Sequence, residues 1–291
     1  MLFLQYLVAG VLTGGLYGLI GLGIVIIYKS TKVFNFAVGA LMTFCALVCV
    51  ALVTNVGLPF WLALPISLAF AAFLGLLTER VGLRPLLAQP ILTLIMATLA
   101  IESILYGTML LFWEGYTISF PQGVLPGQTI FLGPIFIPHE FLYAFIVATA
   151  CFVLVGVFFF KTQMGLRMRV TAESHVVAMA LGINITRIFA MSWMLATVVG
   201  ALAGIFIGNR LGLQVAITPS LAFKALPAII FGGLDSLAGA IIGGLTVGIL
   251  EKMAAGYIDP KVAEITPYII LLLVLLIRPQ GLFGEERIER I

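Results

Sequence analysis

The sequence predicts an all-α integral membrane protein, a polytopic bundle of about nine membrane segments, and three observations carry that prediction. First, of 291 residues 62% are apolar and only 9% are charged, against roughly 25% charged in an average soluble domain. A soluble fold of this length would lack the residues for a hydrated exterior. Second, the apolar runs are long and continuous, without the alternation of a barrel strand. In lipid such runs satisfy their backbone polar groups as helices. Third, Lys and Arg gather in some connecting loops and are missing from others, which is how a membrane chain sets its orientation.

A spanning helix needs about 20 apolar residues. Phe3–Tyr28 is the first candidate. It has no basic leader, and its apolar stretch outruns the core of a secretory signal, so it reads as a span. Val33–Thr54 follows, opening at Asn35-Phe-Ala-Val-Gly39, a sequence suited to a helix start or to a half-helix near the midplane. Phe60–Thr78, Gln89–Trp113, Phe141–Phe160 and Ile188–Gly208 are equally clear candidates. Leu221–Leu234 is short and contains Lys224 and Pro227, so it either crosses or re-enters. Ser236–Leu250 is rich in glycine, and Ile265–Ile277 is closed by Arg278 and Pro279. Glycine recurs at every fourth position in Gly10, Gly14 and Gly18, in Gly200, Gly204 and Gly208, and in Gly239 with Gly243 and Gly244 with Gly248. That spacing cuts a groove along one helix face, which serves close helix packing ahead of direct solute contact.

The basic residues that set the pattern are Lys29 and Lys32 after the first span, Arg80 and Arg84 after the third, Lys161, Arg167, Arg169 and Arg187 after the fifth, and Arg278, Arg287 and Arg290 in the tail. The loop from Glu114 to Glu140 has no Lys or Arg. An outside N-terminus and a cytoplasmic C-terminus fit this pattern, and nine crossings supply the odd parity it requires. Arg210 is the one basic residue near a span on the other side. Pro121, Pro126, Pro134 and Pro138 with Gly123, Gly127 and Gly133 give the 114–140 loop turn chemistry. This places it over the extracytoplasmic mouth, where a solute or partner arrives.

Ionisable residues within spans are costly and so are functional candidates. Glu102 is the one acid deep in its apolar helix, with a hydrogen-bonded packing role as the alternative to lining a pathway. Lys224 lies in the Pro-interrupted segment, where broken helix ends can frame a site, although a snorkelling lysine explains it too. Asn35 completes the candidate translocation residues, its alternative being a plain helix cap. Phe231-Gly-Gly-Leu-Asp-Ser236 reads as a flexible break. Within 161–187, the pattern from Arg167 to Leu181 predicts one or two short amphipathic helices, ended by Gly182 as a C-cap. Met168, Val176, Val177 and Met179 on such a helix can enter a partner's groove or lie on lipid headgroups.

Several chemistries are excluded. Without a Gly-Lys dipeptide there is no Walker A loop, so any ATP that drives the protein is bound by another chain. Cys45, Cys49 and Cys151 lie in apolar runs and form neither a disulfide framework nor a metal site. His139 and His175 are the only histidines, in loops assigned to opposite faces. No nucleophile–base pair, cofactor motif or metal cluster suggests an enzyme, and a net charge of +3 gives no reason to expect nucleic acid.

Four stretches carry a resemblance over nearly the whole chain. They are Gly14-Gly-Leu-Tyr-Gly-Leu-Ile-Gly-Leu-Gly23 leading to Asn35-Phe-Ala-Val-Gly39, then Ala178-Met-Ala-Leu-Gly-Ile-Asn184, then Phe223-Lys-Ala-Leu-Pro running to Gly244 with Glu251, and finally Arg278-Pro-Gln-Gly-Leu-Phe-Gly284. Together they resemble the permease subunits of branched-chain amino-acid ABC transporters, of the LivH/LivM type and closer to the LivH branch. The resemblance implies one permease domain over 1–291, similar to type II importers with two inverted halves, although the letters show no convincing internal repeat. It also implies a second homologous permease, two cytosolic ATPases, an extracytoplasmic solute-binding protein and a bacterial inner membrane. Within it, 161–187 is the cytoplasmic coupling loop to an ATPase, with Gly165, Arg167, Arg169, Glu173, Ala180, Gly182 and Asn184 as its residues. Two positions depart from the family pattern: Val38, where histidine is usual, and Asp235, where glycine or another small residue is common. Two rivals remain: an ion-coupled secondary transporter or channel, for which Glu102 would be the ion site, and an ABC permease for urea or short amides.

Overall fold

The computed structural model describes residues 2–284 except 88, 122, 126, 128, 133 and 134. Arg287 and Arg290, and Pro126, Gly133 and Pro134 of the long loop, lie outside the described residues. The helices in chain order are α1 (Leu2–Thr31), α2 (Val38–Thr54), α3 (Phe60–Leu77), α4 (Ile91–Trp113), α5 (His139–Lys161), α6 (Gln163–Glu173), α7 (His175–Ala180), α8 (Ile185–Leu211), α9 (Thr218–Lys224), α10 (Leu226–Gly232), α11 (Leu237–Tyr257) and α12 (Pro260–Ile277). A π-helical turn, Thr78–Leu83, continues α3. Among the described residues, seven helices are long and apolar enough to cross a membrane. Val38–Thr54 and the interrupted pair Thr218–Gly232 are shorter. The all-α membrane bundle of about nine segments stands, with seven long segments and two short ones among the described residues.

The differences from the expected boundaries have local causes. α2 begins at Val38 rather than Val33, because side chains take up the backbone groups of the preceding turn. The Thr31 hydroxyl accepts from the Val33 N–H at 3.1 Å, Asn35 Oδ1 accepts from the Ala37 N–H at 2.9 Å, and Lys32 is left-handed at φ 56°. Leu221–Leu234 becomes two helices broken at Ala225. Pro227 falls in the first turn of α10, where its missing N–H costs no hydrogen bond. α11 runs past Leu250 to Tyr257, and α12 starts at Pro260, capped by Asp259. Lys252 and Lys261 therefore join Arg210 at helix ends that the expected orientation assigns to the exterior. The 114–140 loop also contains a feature not expected from its turn residues, an antiparallel pair β1 (Ile130–Leu132) and β2 (Ile135–Ile137).

The chain divides into two compact units, Met1–Val25 with Gln128–Phe152 and Lys224–Ile291, and Ile26–Gly127 with Val153–Phe223. In the first, α1 and α11 run antiparallel with their glycine faces together. A Cβ added to Gly14 would stand 2.6 Å from the Gly244 carbonyl oxygen, closer than van der Waals contact allows, so the glycine spacing here serves packing. The Tyr17 hydroxyl crosses the same interface to Glu251 at 2.7 Å. In the second unit α2 is the central element. It packs on α3, α4 and α8 and buries Cys45 and Cys49, while the Ser67 hydroxyl of α3 donates to the Cys45 carbonyl at 2.9 Å.

Candidate functional site

The 161–187 segment is built from two short helices with satisfied ends. α6 starts at Thr162, whose hydroxyl accepts from the Gly165 N–H at 3.0 Å. Gly165 is pressed against the carbonyls of Phe158 and Phe159, with no room for a Cβ, so the chain turns sharply out of α5. Ser174 closes α6 in extended backbone and caps α7 by accepting from the Val177 N–H at 3.3 Å. α7 ends in a Schellman arrangement. The Gly182 N–H donates to the Met179 carbonyl and the Ile183 N–H to the Ala178 carbonyl, both at 2.9 Å, and Gly182 takes the left-handed φ of 73° that this cap demands. Asn184 then starts α8, its Oδ1 accepting from the Arg187 N–H at 3.1 Å. The predicted C-cap role of Gly182 is present in the structure; of the one or two helices expected, two form, and the first starts four residues earlier than Arg167.

Side-chain directions divide the segment into an anchored and an open face. Met168, Thr171 and Ala178 are buried, and Arg169 lies over the Phe160 ring at 5.5 Å. His175 meets Phe189 edge-on, and the water lost on that side holds its pKa below the ordinary histidine value. Arg167, Glu173, Ala180, Gly182 and Asn184 are exposed. So are Leu166, Val176, Val177, Met179 and Leu181, with Val176 72% and Leu181 66% exposed. Met168, expected on the docking face, instead turns inward. Four of the six residues from Val176 to Leu181 are large apolar side chains facing outward, on a helix too short to be stable alone. Such a surface fits a partner better than water.

The candidate translocation residues separate. Asn35 is buried in the unwound link between α1 and α2, three residues before the first helical residue, Val38, rather than at the cap position, which Ala37 takes. The next backbone N–H, of Phe36, donates to the Thr98 hydroxyl of α4 at 3.2 Å. Glu102 lies one helical turn beyond Thr98 on the same face and is half-buried. Glu102 thus shares a helix face with Thr98, which meets the Asn35 link and which the sequence reading missed because a lone threonine in a span carries no signal. Gly39 at the start of α2 meets the Pro219 carbonyl of α9 without room for a Cβ, so two helix beginnings and an unwound link converge there. Lys224 belongs to the other unit, where its ammonium is 3.9 Å from Glu264 of α12.

Sequence reading also missed an ion pair. Glu79 is fully buried and takes Arg84 in a two-pronged contact, Nε to Oε1 at 3.1 Å and Nη2 to Oε2 at 2.7 Å. In an α-helix residues five apart do not face each other, and the π-helical turn is what brings these two together. Among the described residues no group of three His, Cys, Asp or Glu side chains could hold a metal ion.

This arrangement is that of a polytopic helical membrane protein. The family model for the branched-chain amino acid transport system permease component matches residues 6–276, and the chain belongs to that family, whose members are transporter permeases and not enzymes. It is similar to the high-affinity branched-chain amino acid transport system permease protein BraD of Pseudomonas aeruginosa, 27% identical over 99% of this chain and 98% of BraD. It is 30% identical to the probable branched-chain amino acid transport permease protein LivH of Methanocaldococcus jannaschii, over 92% of this chain and 88% of that one. A more distant relative, the guanosine ABC transporter permease protein NupQ of Bacillus subtilis, is 25% identical over 74% of this chain and 72% of its own length. A multi-pass permease subunit of a multi-component importer follows, in place of a stand-alone ion-coupled carrier.

Proposed function

We propose that this permease imports branched-chain or closely related amino acids into a bacterial cytoplasm across the inner membrane. It does so paired with a second homologous permease, two cytosolic ATPases that bind the ATP, and an extracytoplasmic solute-binding protein. The N-terminus lies outside and the C-terminus inside. In this reading 161–187 docks in a groove of an ATPase. Closure of the ATPase pair pushes on α6 and α7, and the movement passes through the capped start of α8 into the bundle. The observation that carries the reading is the outward apolar face of α7, Val176, Val177, Met179 and Leu181, held on a basic loop by Gly182 and Asn184. The long relatives named for branched-chain amino acids support the cargo. The relative named for guanosine supports a second reading, in which the same scaffold carries another small polar solute. Uptake of labelled leucine, urea and guanosine by vesicles holding the whole transporter decides between them, and uptake without leucine transport sinks the first.

A further inference from the structure

The unit formed by Met1–Val25, Gln128–Phe152 and Lys224–Ile291 contains a cavity of about 230 Å³ lined by none of the candidate site residues, and we propose that it holds the anionic head of a membrane phospholipid. Its polar lining is Lys252, Gln5, Tyr6 and Thr13, and its apolar walls include Ala9, Phe136 and Phe141. Lys252 makes no hydrogen bond or ion pair among the described residues. The carboxylate nearest in sequence, Glu251, does not neutralise it. Successive residues on a helix point about 100° apart, and Glu251 is engaged by the Tyr17 hydroxyl at 2.7 Å. The cavity therefore offers one uncompensated cation, two hydroxyls and a carboxamide beside apolar walls.

Position selects the ligand. Lys252 stands about five residues before Tyr257, the end of α11, or roughly 7.5 Å along the axis at 1.5 Å per residue. A lysine this near the end of a spanning helix can extend its stem to the headgroup layer. Tyr6 and Tyr257 pair edge-to-face at 5.8 Å, as aromatic residues do at that boundary. The volume equals that of about eight waters at ~30 Å³ each, enough for a phosphate and its glycerol link and too little for two acyl chains. The chains would continue over the exposed apolar start of α1, Leu2, Phe3 and Leu4. A solute carboxylate shares the anionic chemistry, so the test must separate the two sources.

The test is native mass spectrometry of the full chain purified in detergent with phosphatidylglycerol, with phosphatidylcholine, and with phosphatidylglycerol plus excess leucine. Wild type should retain phosphatidylglycerol several-fold over phosphatidylcholine and keep it in the presence of leucine. Lys252→Gln should lose the preference and Lys252→Arg should keep it. Ala9→Phe retains the charge but fills the cavity, and should lose the bound lipid, which decides the matter even if Lys252→Gln does not fold. Equal retention of the two lipids, retention unchanged in Ala9→Phe, or displacement by leucine would overturn the proposal.

Discussion

The Tyr17 hydroxyl donates to Glu251 Oε2 at 2.7 Å, joining α1 to α11 across 234 positions of sequence. It lies on the interface where Gly14 and Gly244 bring the two backbones together, so the glycine contact determines how closely the helices approach and the hydrogen bond satisfies the one acid placed there. Removing the donor with Tyr17→Phe leaves a half-buried carboxylate short of a partner, at a cost of about 1–3 kcal/mol. The thermal unfolding midpoint in detergent should fall. Glu251→Gln, which still accepts, should fall less. Equal midpoints for wild type and Tyr17→Phe would remove the bond from the stability argument.

Gly14→Leu tests the packing reading of the glycine spacing more severely. The contact is backbone on backbone, so a flexible side chain cannot yield, and α1 and α11 must separate along their whole interface. The variant should fail to give a monodisperse protein in size-exclusion chromatography. Gly107→Leu, at a position with nothing within 4 Å of an added Cβ, should remain monodisperse.

The Glu79–Arg84 pair predicts an ordering of variants. Arg84→Ala leaves a fully buried carboxylate alone, and breaking a pair from one side is worse than removing both partners. Arg84→Lys keeps the charge but not the two-pronged geometry. Thermal midpoints should rank wild type first, then Arg84→Lys, then Arg84→Ala, with Glu79→Gln/Arg84→Gln above Arg84→Ala. A double variant no better than Arg84→Ala would mean that the uncompensated charge of Glu79 is not what destabilises Arg84→Ala.

Most spans were legible because a run of apolar residues in a chain this poor in charge has few other uses. What composition hid was where backbone bonds change hands. Val33 to Ala37 reads as the start of a span, yet Thr31 and Asn35 divert its N–H groups. Glu251 and Lys252 interrupt an apolar run without ending the helix, because one acid finds Tyr17. In the candidate site, Gly182 and the amphipathic stretch were readable from turn chemistry and spacing. Whether Met168 faced this chain or a partner was not, since periodicity gives a face and not its neighbour. Thr98 and the Glu79–Arg84 pair carried no signal at all, the first being one hydroxyl in a span and the second depending on a π-helical turn.

Glu102 is half-buried on the helical face of Thr98, which holds the unwound link at Phe36. If that link lines the solute path, Glu102→Gln changes the field beside it without changing side-chain volume. Uptake should fall several-fold or the preference among leucine, valine and isoleucine should shift, while expression and the unfolding midpoint stay near wild type. Wild-type kinetics in this variant would assign Glu102 to packing.

The strongest test of the proposed coupling segment uses the backbone of Gly182. At φ 73° a β-branched residue is strained, at about 1–2 kcal/mol for left-handed backbone, whereas asparagine visits that region with little penalty. Gly182→Val should therefore open the Schellman turn, release α7 from the start of α8 and uncouple the reconstituted transporter: ATP hydrolysis continues while uptake drops by an order of magnitude or more. Gly182→Asn should stay near wild type, which separates a backbone requirement from loss of a contact surface. Arg167→Ala, exposed and away from the turn, should weaken coupling through the docking face instead, with the complex still assembling on a sizing column. Normal uptake by both Gly182→Val and Arg167→Ala would remove 161–187 from energy coupling and leave α7 without an assigned partner.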